Sequence, residues 1–218
     1  MTLSLDTARA CARDLAAARG ALLVDPDDAR PWLLALEAAV ALIPGAGPVL
    51  TMARGLLSGA ADSVAGLALP TPWGTLVILS PRALVDGPTL LSVAVHELVH
   101  DAQARAVGAG QVAVDYLHPE LRALREAEAG GVGLWARYLV TGVRPSPDDA
   151  GVVSSDLYHL DAPNRAFARA VVESSLVSID TGAVPPHSVA RAALAWLRGH
   201  APEAILAEAY AARPTVAP

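Results

Sequence analysis

The chain has 218 residues, of which 53 % are hydrophobic and 17 % are charged, and its formal net charge is −6 at pH 7. This composition is typical of a globular protein with one hydrophobic core and excludes an intrinsically disordered chain. Every basic residue is an arginine, and no basic stripe is visible, which argues against nucleic acid as a partner. The lone cysteine, Cys11, cannot form an internal disulfide.

The N-terminal segment is predicted to be a helix. Apolar residues recur at helical spacing over residues 3–19, and Gly20 is suited to end that helix. The first residues lack the basic region and the apolar region that make up a signal peptide. We therefore expect a cytoplasmic protein, with a non-classical route of release left open.

A strongly apolar stretch follows, with a break in its middle. The pattern predicts helices over 31–43 and 49–57, separated by the segment 44–48, whose sequence is Pro-Gly-Ala-Gly-Pro. Each arm is shorter than the ~20 apolar residues that a membrane span needs. Core helices or a partner-binding hairpin therefore fit this stretch better than membrane insertion does, and the shortage of charges predicts an exposed apolar patch or an oligomer.

The next elements are a short strand at 75–79 and a helix at 88–107. The helix is predicted to begin after Asp86, beside a proline, and to end at Gly108. Apolar residues occupy nearly every face of this helix, so we expect it to be buried. It contains the pattern H-E-x-x-H at residues 96–100.

The H-E-x-x-H pattern predicts a zinc site. His96 and His100 are one helical turn apart on the same face, so both can bind one Zn²⁺, and Glu97 then lies beside a water bound to the metal. In a buried helix these three polar side chains need partners, which a metal and its water supply. The alternative is a pair of histidines packed in the core without a metal.

A catalytic zinc needs a third protein ligand. One extended form of the motif requires a glycine at position 103 and a histidine at position 106, but this chain has Gln103 and Ala106. On the next predicted helix, Glu126 and Glu128 are about 200° apart around the axis, so only one of them can face the metal. Asp115, on the connector before that helix, is a further candidate.

The H-E-x-x-H motif and the later run Glu-Ala-Glu-Ala at 126–129 together resemble the gluzincins, a class of zincin-type zinc metallopeptidases, over about residues 74–140. The resemblance implies an α+β, predominantly helical fold with a short sheet beside the motif helix. It also implies His96, His100 and Glu126 as zinc ligands, and hydrolysis of a peptide or protein substrate with Glu97 as general base. Gly130 departs from the family, which often has Asp or Asn there to support a histidine ligand.

The same resemblance implies further features of the site. The strand at 75–79 would be an edge strand along the cleft and would bind an extended peptide by strand addition. Tyr158 and His159 are the first candidates for the residue that stabilises the oxyanion. Asp101 could orient a ligand, or have a solvated or capping role. Other candidates for the oxyanion role are Tyr116, His118 and Arg165.

The sequence suggests three regions within one compact unit. These are an N-terminal helical and apolar segment (1–69), a zincin-like core (70–142) and a C-terminal helical subdomain (143–218). The last region follows a Pro-rich loop and is predicted to contain helices near 152–160, 164–179, 188–198 and 202–212. The alternative to a peptidase is a non-catalytic binding protein or a membrane-active effector that uses the apolar segment 31–69.

Overall fold

The computed structural model describes residues 2–27, 51, 54–55, 64–71 and 74–200. The helices expected at 31–43 and 202–212, and most of the one expected at 49–57, lie outside these residues. Among the helices that are described, none is both long enough and apolar enough to cross a membrane.

The first helix, α1 (Leu5–Ala18), is confirmed. The Ser4 side chain accepts a hydrogen bond from the N–H of Thr7, which caps the first turn. Gly20 follows the helix at φ +63°, a left-handed conformation that glycine adopts without a steric penalty. The chain then enters a short strand, β1 (Leu22–Val24).

Within the described residues, the sheet has three strands in the order β1-β3-β2. Strand β2 (Gly66–Thr71) pairs antiparallel with β3 (Gly74–Leu79), and β1 pairs with β3 in parallel. The predicted strand at 75–79 is therefore present, but the expectation that it is an edge strand is wrong. It lies in the centre because β1, whose three residues are too few to give a sequence signal, covers its other side.

The motif helix, α2 (Gly87–Val107), has the predicted bounds to within one residue. Asp86 caps it by accepting a hydrogen bond from the N–H of Thr89, and Gly108 ends it at φ +89°. The expected burial is confirmed, since α2 packs against α1, the sheet and three later helices. Its apolar side chains that are fully inaccessible to solvent are Leu90, Leu91, Ala94, Val95, Leu98 and Val99.

The rest of the described chain is helical. A short helix, α3 (Ala109–Asp115), occupies much of the segment that was expected to be an irregular connector. The long helix α4 (Pro119–Thr141) follows, as predicted. The single helix expected at 152–160 is instead a four-residue helix, α5 (Gly151–Ser154), and a separate 3₁₀ turn. The last two helices, α6 (Ala162–Thr181) and α7 (Ser188–His200), contain the predicted segments.

One hydrophobic core runs through these elements, from α1 to α7. The prediction of a predominantly helical α+β protein with a small sheet is therefore confirmed at the level of fold class. The division into three regions, with boundaries at residues 69 and 142, stays a prediction.

Capping by Asp86 predicts a pH-dependent contribution to stability. Hydrogen bonds from the side chain and the N–H of Thr89 lower the pKa of Asp86. A carboxyl whose pKa is lower in the folded state stabilises the fold above its unfolded pKa, and this contribution is lost as the pH falls through the folded pKa. We expect Asp86→Ala to reduce the free energy of unfolding at pH 7 by about 0.5–2 kcal/mol, the usual range for a lost cap.

Urea unfolding of both proteins at several pH values measures this effect. The difference between wild type and Asp86→Ala should begin to shrink below about pH 4, where the carboxyl of the unfolded chain takes up a proton, and the charge-dependent part should be lost once the folded-state carboxyl is protonated at lower pH. Asp86→Asn is the matched control, because its amide oxygen still caps the helix and does not titrate. A difference that stays constant from pH 7 to pH 3 would contradict the capping role.

Candidate metal centre

Two histidines of α2 and a glutamate of α4 converge on one point. The Nε2 atoms of His96 and His100 are 3.0 Å apart. Glu126 places Oε2 3.5 Å from the Nε2 of His96 and Oε1 3.7 Å from the Nε2 of His100. Atoms that coordinate zinc tetrahedrally at 2.0–2.2 Å are about 3.3–3.6 Å from one another. These three side chains could therefore hold one metal ion with little movement.

Glu126 reaches the histidines because α4 passes very close to α2. A Cβ atom at Gly133 would lie 2.8 Å from the backbone oxygen of Ser92 and 3.3 Å from the Cβ of His96, so only glycine permits this approach. Glu126 precedes Gly133 by seven residues, which is two helical turns, and so lies on the same face of α4. The glycine contact thus directs Glu126 toward the two histidines.

The other carboxylates considered as third ligand are held elsewhere. Glu128 accepts a hydrogen bond of 2.8 Å from Nε2 of Gln103. Asp115 is paired with Arg125 at 2.7 Å and also accepts a hydrogen bond from Gln111. Of the three candidate carboxylates, Glu126 is the one that the structure brings to both histidines.

Glu97 is buried beside the cluster, with 5 % of its surface exposed. Burial raises its pKa, while the nearby His96 and His100 partly oppose that shift. The N–H of Ala68 on β2 donates to its carboxylate, and a Cβ at Gly66 would lie only 2.8 Å from its Cγ. Strand β2, and not β3, therefore runs along Glu97.

The charges of the cluster depend on one another. Burial by itself would lower the pKa of His100, but the hydrogen bond and the negative charge of Glu126 outweigh it and raise the pKa to about 9. Burial would raise the pKa of Glu126, but the hydrogen bonds and charges of His100 and His96 hold it well below its usual range. Glu126 is thus a carboxylate, the form that a metal requires.

Two tyrosines approach Glu126 as well. The hydroxyl of Tyr116 donates a hydrogen bond of 2.5 Å to Oε1 of Glu126. Tyr158 also lies within hydrogen-bonding reach of this carboxylate. For both residues, burial and then the charge of Glu126 raise the pKa above its ordinary value, so each phenol keeps its proton and remains a donor.

A cleft with a volume of about 240 Å³ leads to the cluster. His96 and Glu97 of α2 line it, and so does Tyr158 from the 3₁₀ turn that follows α5. Most of its other lining residues are small or apolar: Val64, Ala65, Gly66, Ser92, Val93, Gly130, Gly133, Leu134, Ala150, Gly151 and Leu157. A larger but more open depression of about 520 Å³ lies beside Arg165 and Arg169 and contains none of the cluster. We associate the cleft with function because His96, Glu97 and Tyr158 line it.

Three of the residues considered for the oxyanion role are not brought to the cleft. His159 is exposed and adopts a left-handed backbone conformation with φ +49° directly after Tyr158. His118 is exposed at the start of α4. Arg165 pairs with Asp156 at 2.8 Å and donates to the backbone oxygen of Val153.

Asp101, the candidate for orienting a ligand, is fully buried in a different cluster. It accepts a hydrogen bond of 2.5 Å from the hydroxyl of Thr75 and forms ion pairs of 2.9 Å with Arg19 and Arg105. These contacts connect α1, β3 and α2. Asp101 therefore supports the packing of the motif helix. It is neither solvated nor a helix cap.

Gln103 is the site residue that sequence reasoning missed. Its side-chain oxygen lies 2.9 Å from Nδ1 of His100. The signal was present, because residues three apart on a helix lie on the same face. In the sequence, Gln103 was interpreted only as evidence against the extended form of the zinc motif.

Two imidazole nitrogens and one carboxylate oxygen form a donor set that suits zinc, and three ligands leave a fourth coordination position for water or substrate. Glu97 adds a buried carboxylate close to the two histidines. In comparisons with protein-family models, curated proteins and solved structures, nothing matches this chain.

The close approach at Gly133 predicts a sensitive position. In Gly133→Ala the new methyl group would meet the backbone of Ser92, so α4 must shift away from α2. We expect the free energy of unfolding to fall by about 1–3 kcal/mol, as for other overpacked sites. We also expect zinc affinity to fall, because Glu126 moves away from the histidines.

Gly110→Ala is the matched control, since a Cβ at Gly110 would meet no described atom within 4 Å. Helix propensity predicts an unchanged or slightly more stable protein for this variant. Chemical unfolding and isothermal titration with zinc measure both quantities. If Gly133→Ala equals wild type in both, the proposed role of this contact is wrong.

Proposed function

We propose that the chain is a zinc-dependent metallopeptidase that hydrolyses peptide bonds in a peptide or protein substrate. The observation that carries this proposal is the convergence of His96, His100 and Glu126 beside the buried carboxylate of Glu97. A pair of histidines packed in a core would need neither a buried acidic partner from another helix nor a second buried carboxylate. Glu97 lines the cleft, and Glu126 contacts His96, which lines it as well.

The residues present fit zinc in number and in type. Glu126 is ionised, and its oxygens lie 3.5 and 3.7 Å from the Nε2 atoms of His96 and His100. When bound, zinc supplies Lewis acidity, which polarises a carbonyl group and makes water more acidic.

Glu97 has the properties of a general base. Its raised pKa brings it nearer to neutral pH, where a carboxylate accepts a proton most usefully. Glu97 takes a proton from the attacking water while the water oxygen bonds to the carbonyl carbon of the scissile peptide. It then passes this proton to the departing amine nitrogen as the carbon–nitrogen bond breaks. No other proton donor is required for hydrolysis.

Tyr158 and β2 complete the proposed site. Tyr158 is a protonated donor on the cleft wall. Its hydroxyl can give up its hydrogen bond to Glu126 and donate one to the substrate oxygen on which negative charge develops. Strand β2 lies at an edge of the described sheet, with Gly66 in the cleft. An extended peptide that pairs with this edge would pass Glu97.

Metal binding tests the ligand set. We expect the wild-type chain to bind one equivalent of zinc, and Glu126→Gln to bind it more than about 100-fold more weakly, a larger loss than that caused by changing an outer partner of a ligand. Asp115→Asn is the matched control and should bind zinc with nearly wild-type affinity. Glu128→Gln, whose amide oxygen can still accept from Gln103, should lose much less affinity than Glu126→Gln. Competition with a chromophoric chelator after complete metal removal gives these affinities. A wild-type chain that binds no zinc would refute the proposal.

Replacement of Glu97 separates catalysis from metal binding. We expect Glu97→Gln to retain zinc and fold but to lose about 10²–10⁴-fold in kcat, because the amide cannot accept the proton. Glu120→Gln, an exposed residue on α4, is the matched control and should keep full activity. Hydrolysis of a quenched, fluorescently labelled unfolded protein provides the assay. Full activity of Glu97→Gln, or no hydrolysis by the zinc-loaded wild type, would refute the assigned chemistry.

A further inference from the structure

We propose that Gln103, itself held by Glu128, is a positioning residue that fixes the ring of His100 so that Nε2 faces the metal. The inference rests on the zinc site proposed above and adds the groups that orient one of its ligands. It depends on a chain of hydrogen bonds that joins α2 to α4 behind the histidines.

The chain of contacts is short and specific. Nδ1 of His100 lies 2.9 Å from Oε1 of Gln103, one turn further along α2. Nε2 of Gln103 donates to the Oε2 of Glu128 at 2.8 Å and to the backbone oxygen of Arg125 at 3.0 Å. Gln103 is buried, with 4 % of its surface exposed, so water does not compete freely for these bonds.

These partners determine how the amide of Gln103 is oriented. A carboxylate and a backbone carbonyl can only accept hydrogen bonds, so both must face the NH₂ group of Gln103. Its oxygen is then the atom that faces His100, and an amide oxygen can only accept. Nδ1 of His100 therefore carries a hydrogen.

This assignment has a consequence for metal binding. In a neutral imidazole one nitrogen carries the hydrogen and the other has the free electron pair. A metal binds the nitrogen that has no hydrogen. If Nδ1 keeps its hydrogen, the ligand atom is Nε2, which faces His96 and Glu126. Gln103 thus selects the ligand atom and also restrains rotation of the ring, both of which favour metal binding.

Two variants and a double variant test this role. Gln103→Met keeps the length of the side chain but removes the acceptor, so we expect zinc affinity to fall by about 10–100-fold. Gln103→Glu also weakens binding, because its carboxylate lies against that of Glu128. Combining it with Glu128→Gln exchanges the two groups: the new carboxylate accepts from His100 and the new amide donates to it. We expect this double variant to recover zinc affinity to within about 3-fold of wild type, a difference below 1 kcal/mol.

The chain contains one other glutamine, Gln111, which bonds to Asp115 on α3. Gln111→Met makes the same chemical change away from the histidines and should leave zinc affinity unchanged. Thermal unfolding of each variant shows whether it is folded. If Gln103→Met does not fold, the comparison of Gln103→Glu with the exchanged double variant decides the question.

Nuclear magnetic resonance gives a readout that is independent of activity. With ¹⁵N-labelled histidine, we expect a His100 Nδ1–H signal that is protected from solvent exchange in the wild type, with or without zinc, and lost in Gln103→Met. If the signal and the zinc affinity of Gln103→Met both match wild type, or if the exchanged variant recovers neither relative to Gln103→Glu, the proposal is overturned. If the wild type binds no zinc but shows the protected signal, the peptidase proposal fails while the orientation of His100 by Gln103 stands.

Discussion

The close contact between α2 and α4 is the constraint on which the candidate site depends. Gly133 meets the backbone of Ser92 at a distance that no side chain permits, and it holds the two helices together over the turns that carry the ligands. Gly131, on another face of α4, makes a similar close contact with Ser175 of α6. A helix with glycines inside it loses about 1 kcal/mol of propensity at each of them. Close packing of α4 against α2 and α6 offsets this loss, because glycine at these positions lets the helices approach each other.

The structure also depends on how its buried carboxylates are paired. Buried acids are costly unless each has partners, and the chain provides partners in every case described above. Asp101 and Asp115 are paired with arginines and have structural roles. Glu126 is surrounded by histidines and tyrosines, which can exchange a hydrogen bond for a metal or a substrate contact, while Glu97 has one backbone donor and a raised pKa. This difference in partners separates the acids that stabilise the fold from those that can take part in chemistry.

The support that we propose for the His100 ring differs from the one that the motif resemblance implied. Position 130, where a carboxylate or amide would be expected, is a glycine, and a Cβ there would already be 3.3 Å from that of Ala150. A long polar side chain at this position would press against Ala150, which directly precedes α5. Gln103 and Glu128 lie on the other side of His100 and offer an acceptor to its ring without occupying the cleft.

The sequence by itself determined the features that depend on local spacing. Helical periodicity, caps such as Asp86 and the i,i+4 separation of His96 and His100 all act within one or two turns, so they could be recognised along the chain. The sequence could not determine which carboxylate faces the histidines or which strand borders the cleft. Those answers depend on how two helices approach each other at Gly133 and on the pairing of β1 with β3, contacts between residues far apart in the chain. Only tertiary packing decides such contacts, because their free energy comes from burial and fit between surfaces and not from the local backbone.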